Sequence, residues 1–162
     1  MRIKLLSLLI FFFLLPSCEK EESRYTLPYA RVYFRIDING RDSDLTHFSH
    51  KTFTKPNTAA ESVGYAGLLV FRDYNGDIFA YDLACPYEKD KNIQVKPNSS
   101  GHAVCPQCDS EYVIMYGTSE RNGTLGLGTP VKGKGPATQP LQSYLVTGAQ
   151  RQGDTRGGGC LP

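Results

Sequence analysis

The sequence has no tryptophan, only three histidines and two methionines, and almost no charge imbalance. Each shortage closes a class of function. A formal net charge of +2 over 162 residues supplies no basic footprint, so nucleic acid is not an expected partner. The histidines, His47, His50 and His102, provide no two-histidine, one-carboxylate set of the kind that holds a mononuclear iron. No stretch repeats at solenoid spacing. No apolar run is long enough to cross a bilayer: residues 5–15 (LLSLLIFFFLL) number 11, where about 20 are needed. No segment carries the apolar stripe of a helix, which removes helical folds and leaves a β architecture.

What is present divides into a leader and a globular part. Arg2 and Lys4 precede the 11-residue apolar run, the layout of a secretory signal. The run ends in Leu15-Pro16-Ser17-Cys18, which resembles the lipobox of bacterial lipoproteins. The resemblance implies cleavage after residue 17 and lipidation of Cys18. Loss of Arg2 and Lys4 leaves the mature chain neutral, so attachment to the membrane rests on the lipid chains. Residues 18–28 then form a charged tether ending at Pro28. Its Lys20-Glu21-Glu22 resembles the surface-export signal of Bacteroidetes lipoproteins, which implies an outer-membrane location and a surface-exposed domain.

The globular part spans 29–147. Residues 30–38 (ARVYFRIDI) alternate apolar and polar, a half-buried strand, with a turn at Asn39-Gly40. Residues 41–63 are polar and ambiguous, with His47 and His50 as solvated loop or edge residues. Residues 64–72 (GYAGLLVFR) and 77–84 (DIFAYDLA) flank Asn75-Gly76, a hairpin signal. Ile93 and Val95 mark a short strand before Pro97. Strands follow at 101–104, 111–116 and 141–147. The last 15 residues, 148–162, are rich in Gly, Gln and Arg and read as a disordered tail. Short strands, frequent turns (16 Gly, 10 Pro) and no helix make an antiparallel all-β sandwich or barrel.

Two of these strands deliver cysteines. The loops are Cys85-Pro86-Tyr87-Glu88 and Cys105-Pro106-Gln107-Cys108, and the 17 residues 88–104 separate Tyr87 from Cys105. Three thiols on two loops invite a soft metal, with Glu88 or His102 to complete a tetrahedron. Cys160 lies in the tail, away from them.

The pattern resembles the Rieske iron–sulfur domain, in which Cys-x-His and Cys-x-x-His loops clamp a 2Fe–2S cluster. Ser110 and Tyr112 stand where that family has a serine and an aromatic, and Gly135-Pro136-Ala137 looks like its Gly-Pro-Ala loop. The similarity covers about 64–147 and is greatest to the Rieske-like lipoproteins of Bacteroidetes. The departures fall on the ligands: Tyr87 replaces the first histidine and Cys108 the second.

Three occupants of the loops stay open. One is a disulfide in a cofactor-free interaction or structural lipoprotein, in keeping with export. Another is zinc on Cys85, Cys105 and Cys108. The third is a 2Fe–2S cluster of non-standard ligation in an electron carrier. Folded cargo leaves by a twin-arginine signal, and residues 1–5 (MRIKL) lack one. Enzymatic activity is not expected: a thioredoxin-type dithiol at Cys105 and Cys108 wants a helix N-terminus that the sequence does not offer. No feature specifies a redox partner.

Overall fold

The computed structural model of the chain describes residues 26–115, 119–120, 123–124, 127–148 and 158–161. The signal segment 1–17, Cys18 and the tether up to residue 25 lie outside the described residues, as do 149–157 of the tail. The described residues form strands and turns, with no helix among them, and every strand pair is antiparallel.

The fold is built on the hairpin of β4 (Leu68–Arg72) and β5 (Ile78–Asp82). Its turn closes where the sequence places it: Gly76 N–H donates to Asp73 O at 3.2 Å, and Asp77 N–H to Asp73 Oδ1 at 2.8 Å. Gly76 has φ 87°, a conformation that disfavours a side chain. Strand side chains alternate faces, yet Leu68, Leu69, Val70 and Phe71 are all buried. Both faces of the hairpin are covered. Leu68, Val70 and Ala80 face one apolar core, and Leu69 and Tyr81 face another.

The first core belongs to a seven-stranded sheet ordered β2-β4-β5-β11-β12-β1-β3. Here β1 is Val32–Ile36, β2 Ser49–Phe53, β3 Ser62–Val63, β11 Ser143–Thr147 and β12 Gly158–Leu161. In β1 the buried residues alternate with exposed ones, as its sequence pattern predicts. Phe34 of β1 meets Phe53 of β2 with ring centroids 4.6 Å apart, although four strands separate β1 from β2 in the sheet order. The sheet therefore curls until its two ends share one core.

The second core lies between the other face of the hairpin and a three-stranded sheet of β6 (Lys96–Pro97), β7 (His102–Val104) and β8 (Glu111–Val113). Leu83, Val95, Ala103, Tyr112 and Ile114 fill it. Between β8 and β11 a small pair, β9 (Ser119–Glu120) and β10 (Gly123–Thr124), stands apart.

Asp82 ties the layers together. It is fully buried, and its carboxylate accepts from the N–H groups of Tyr65 (2.7 Å), Ala66 (3.1 Å) and Ala84 (2.8 Å) and from the Tyr144 hydroxyl (2.7 Å). Burial and the Asp82 charge push the Tyr144 phenol well above its ordinary pKa, so that it stays a donor.

Four sequence expectations change. The polar stretch 41–63 contains β2, paired along its whole length with β4. Only Phe53 of β2 is buried, so the apolar alternation that marks a strand is missing. In the same stretch Asp42, 1% exposed, accepts from Lys51 Nζ at 3.1 Å and from Asp37 N–H at 2.9 Å. The expected tether reaches the domain early: Leu27 is buried in the second core, and Thr26 N–H donates to Gln142 Oε1 at 3.1 Å. The strand expected at Ile93 and Val95 falls at Lys96–Pro97, with a single bridge from Ala84 to Gln94 before it. The expected disordered tail is corrected at Gly158–Leu161, which pairs with both β1 and β11. Strand pairing uses backbone groups, so a glycine-rich segment without an apolar pattern can still join a sheet between two partners.

Candidate metal centre

Cys85 follows the end of β5, and Cys105 follows the end of β7. The two cysteines open turns of one design. Cys85 O accepts from Lys89 N–H at 2.9 Å, and Cys105 O from Asp109 N–H at 3.1 Å, four residues on in each case. Lys89 (φ 54°) and Asp109 (φ 56°) both close their turn in the left-handed region. Proline at the second position fixes φ and has no N–H to satisfy. The next two N–H groups of each turn aim at the cysteine sulfur: Tyr87 and Glu88 at Cys85, Gln107 and Cys108 at Cys105. Such a nest of donors favours a sulfur that carries negative charge.

The turns face each other. The sulfurs of Cys85, Cys105 and Cys108 all lie within 4.8 Å of one another, and Cys85 Sγ is 3.7 Å from Cys108 Sγ. A disulfide bond is about 2.05 Å long, and all three are free thiols here. Cys85 and Cys105 are buried, while Cys108 is partly exposed.

Hydroxyl groups supply the next layer. Tyr112 Oη lies 3.3 Å from Cys85 Sγ, and Ser110 Oγ lies 3.2 Å from Cys108 Sγ. Ser110 Oγ also accepts from Ala137 N–H at 3.1 Å. The segment carrying Ala137 lies so close that a Cβ on Gly135 (φ 75°) would collide with Ser110, so glycine is required there. Tyr65 donates to Lys89 O at 3.2 Å and braces the other turn.

The environment splits the two buried thiols. Burial pushes both up. At Cys85 that push is outweighed by the Tyr112 hydroxyl, the Glu88 N–H, the neighbouring Cys105 thiol and the Tyr87 N–H, and the thiol falls below its ordinary value. At Cys105 burial wins over the N–H groups of Cys108 and Gln107, helped by the two neighbouring thiols, and the pKa is pushed up to about 12. Burial, with the sulfurs beside it, also raises the Tyr112 phenol.

The three thiols expected to cluster therefore do. Among the described residues neither of the proposed fourth ligands joins them within the same 4.8 Å. His102 sits on β7 with Nδ1 3.2 Å from Glu111 Oε2, a diagonal neighbour across the β7–β8 pair, and Glu111 Oε1 is 3.6 Å from Lys134 Nζ. Glu88 is half-buried beside the site, and Tyr87 is 55% exposed. Cys160 occupies a register position opposite Phe34 and Val146, two residues of the other core. His47 and His50 are exposed, as expected. The pairing of His102 with Glu111 and Lys134 was not foreseen; it depends on the β7–β8 register, which only the turn length sets.

The donor set suits a soft divalent ion. With metal–sulfur bonds of about 2.3 Å, a tetrahedral ion spaces its sulfurs roughly 3.8 Å apart, close to the 3.7 Å between Cys85 and Cys108. No protein-family model, no curated protein and no solved structure matches the chain.

Proposed function

We propose that the protein is an exported lipoprotein, anchored through Cys18 to the bacterial outer membrane, whose Rieske-like β domain uses Cys85, Cys105 and Cys108 to hold a metal ion in a structural role. One observation carries the metal: three sulfurs within 4.8 Å, two of them met by backbone donors from matched turns. The Rieske resemblance gains support from the contact of Gly135 and Ala137 with Ser110, since the resemblance picks out both segments independently. Zinc is the ion that thiolates on facing turns suit best. It would cross-link the end of the β4–β5 hairpin to the β7–β8 turn and supply no redox chemistry. The lipid anchor rests on the lipobox alone.

A second reading, a 2Fe–2S electron carrier, is favoured by the Tyr112 hydroxyl at Cys85 Sγ, because hydrogen bonds to sulfur set the potential of such clusters. Against it, two irons need donors in two pairs, and the three sulfurs form a single group.

Metal analysis and a visible spectrum of the full-length protein, purified without chelators, decide between these. One equivalent of zinc and no colour is expected. Iron with sulfide and a visible spectrum would establish the cluster instead. A metal-free sample with oxidised thiols would overturn both and leave the cofactor-free interaction protein. Labelling with a radioactive fatty acid should mark the wild type and leave Cys18→Ala unmarked; equal labelling of the two would remove the anchor.

A further inference from the structure

The two turns carry the same backbone but different side chains, and aligning them position by position points to the missing donor. Cys85 matches Cys105, Pro86 matches Pro106, Tyr87 matches Gln107, Glu88 matches Cys108 and Lys89 matches Asp109. The match extends to the turn-closing hydrogen bonds at 2.9 and 3.1 Å and to the left-handed residues at φ 54° and 56°. It also covers the third- and fourth-position N–H groups that aim at the first sulfur. Outside the second position, where Pro86 is buried and Pro106 exposed, exposure follows the same order. The third residue of each turn, Tyr87 or Gln107, is exposed, and the fourth, Glu88 or Cys108, is half-buried.

In the second turn the fourth residue delivers its sulfur to the group. The first residues of both turns and the fourth residue of the second bring their sulfurs together, and the matching backbone gives the fourth residue of the first turn, Glu88, the equivalent position, one side-chain rotation from being the fourth donor. We infer that Glu88 is the fourth ligand, its carboxylate occupying the place in the first turn that the Cys108 thiolate occupies in the second, so that the site takes a divalent ion through three sulfurs and one oxygen. This rests on the metal-site reading above. Carboxylate oxygen is an accepted zinc donor, and the Glu88 side chain has three rotatable bonds with which to reach an ion. The competing donor, His102, is held by Glu111 on the neighbouring strand. Tyr87 stands at the outward-facing third position. A carboxylate in place of a fourth thiolate keeps the charge of the donor set and makes it harder, so the site accepts cobalt(II) and zinc and is less selective for the softest ions.

Cobalt(II) titration of the full-length protein tests this, because the sulfur-to-cobalt charge-transfer band counts thiolates independently of any activity. The wild type should show a tetrahedral spectrum with three thiolates. Glu88→Cys should raise the charge-transfer band by the share of one added thiolate. Glu88→Ala should keep the three-thiolate band while weakening cobalt affinity at least tenfold, and His102→Ala should leave both affinity and spectrum unchanged. Wild-type affinity in Glu88→Ala together with an unaltered band in Glu88→Cys overturns the assignment, as does a loss that follows His102→Ala. If the wild type takes up no cobalt or zinc at all, the metal-site reading itself falls, and this inference with it.

Discussion

The two cysteine turns are alike in backbone and unlike in chemistry. Both begin Cys-Pro, both close on a left-handed residue, and both aim two N–H groups at the leading sulfur. The second turn carries two thiols and is covered by the segment containing Gly135 and Ala137. The first carries one thiol and a glutamate, and it takes the Tyr112 hydroxyl from across the core. The leading thiols respond oppositely: Cys85 is drawn down and Cys105 is pushed up to about 12. The contrast teaches that a shared turn positions the sulfur, while its charge is set by what lies across the site. On the Cys85 side a hydroxyl faces the sulfur; on the Cys105 side the neighbouring thiols add to the effect of burial.

The most damaging way to break the comparison is at Asp82, which anchors the approach to the first turn alone. Asp82→Ala strands three backbone donors and the Tyr144 hydroxyl. Each orphaned buried donor costs about 1–3 kcal/mol. A loss of about 3 kcal/mol or more in denaturant-measured stability is expected, and a loss below about 1 kcal/mol would mean that the clamp is dispensable.

Removing a leading sulfur comes next. Outer-sphere changes at a metal site typically cost about 10–100-fold in affinity, so Cys85→Ser and Cys105→Ser should each weaken zinc binding by more than about 100-fold in a chelator competition. Cys160→Ser should leave it unchanged, since Cys160 pairs within the other sheet. A matching loss in Cys160→Ser would refute the separation of the two regions.

Alkaline pH sharpens the contrast without any metal. Cys105 has its folded pKa raised from 9.0 to about 12, and burial raises Tyr81, Tyr112 and Tyr144 as well. In each case the unfolded chain gives up the proton first. It therefore binds fewer protons, and stability falls as pH rises. The Cys105 contribution is present below pH 9.0 and is lost between 9.0 and about 12. Cys85, drawn down, has the opposite sign: its contribution is present above its ordinary value and is lost as pH falls through its folded pKa. Denaturation midpoints of the apo protein should decline from about pH 9 in the wild type. The decline should begin about one unit higher in Cys105→Ser, where only the tyrosines remain. Identical curves would show that Cys105 ionises freely.

The smallest effect is expected at Tyr112. Tyr112→Phe removes the hydroxyl from Cys85 Sγ and little else, so the Cys85 thiol should rise toward its ordinary value and zinc affinity should fall by about tenfold. Ser110→Ala is the matching change at Cys108. A larger loss there than in Tyr112→Phe would invert the asymmetry.

The sequence carries the site more openly than it carries the sheet. Two Cys-Pro loops, separated after Tyr87 by the 17 residues 88–104 and each at the end of a strand-like run, locate the thiols because strand ends and proline turns have strong local signatures. The β4–β5 hairpin is equally plain from Asn75-Gly76 and its flanks. β2 is obscure because Ser49, His50, Lys51 and Thr52 meet solvent on most sides and hold their place by pairing with β4. β12 is obscure for a related reason: its neighbours β1 and β11 make the strand, and the Gly158-Gly159 sequence has no pattern of its own to show it. His102 is visible as a strand residue, but its partner Glu111 follows from a register that no short-range signal fixes.

The β4–β5 hairpin has a consequence for how the molecule comes apart. It is the common wall of both apolar cores, with Leu68 and Val70 on one side and Leu69 and Tyr81 on the other. Neither core can open without stripping a face from the strands that support the other. The curled sheet and the cysteine turns should therefore melt as one cooperative unit, which coincident transitions by two probes would check. Amide protons of β4 and β5 are accordingly expected to be the slowest to exchange with solvent, and an ion bound by the cysteine turns would slow exchange at the far edge of the hairpin, around Arg72 and Ile78, through global stability alone.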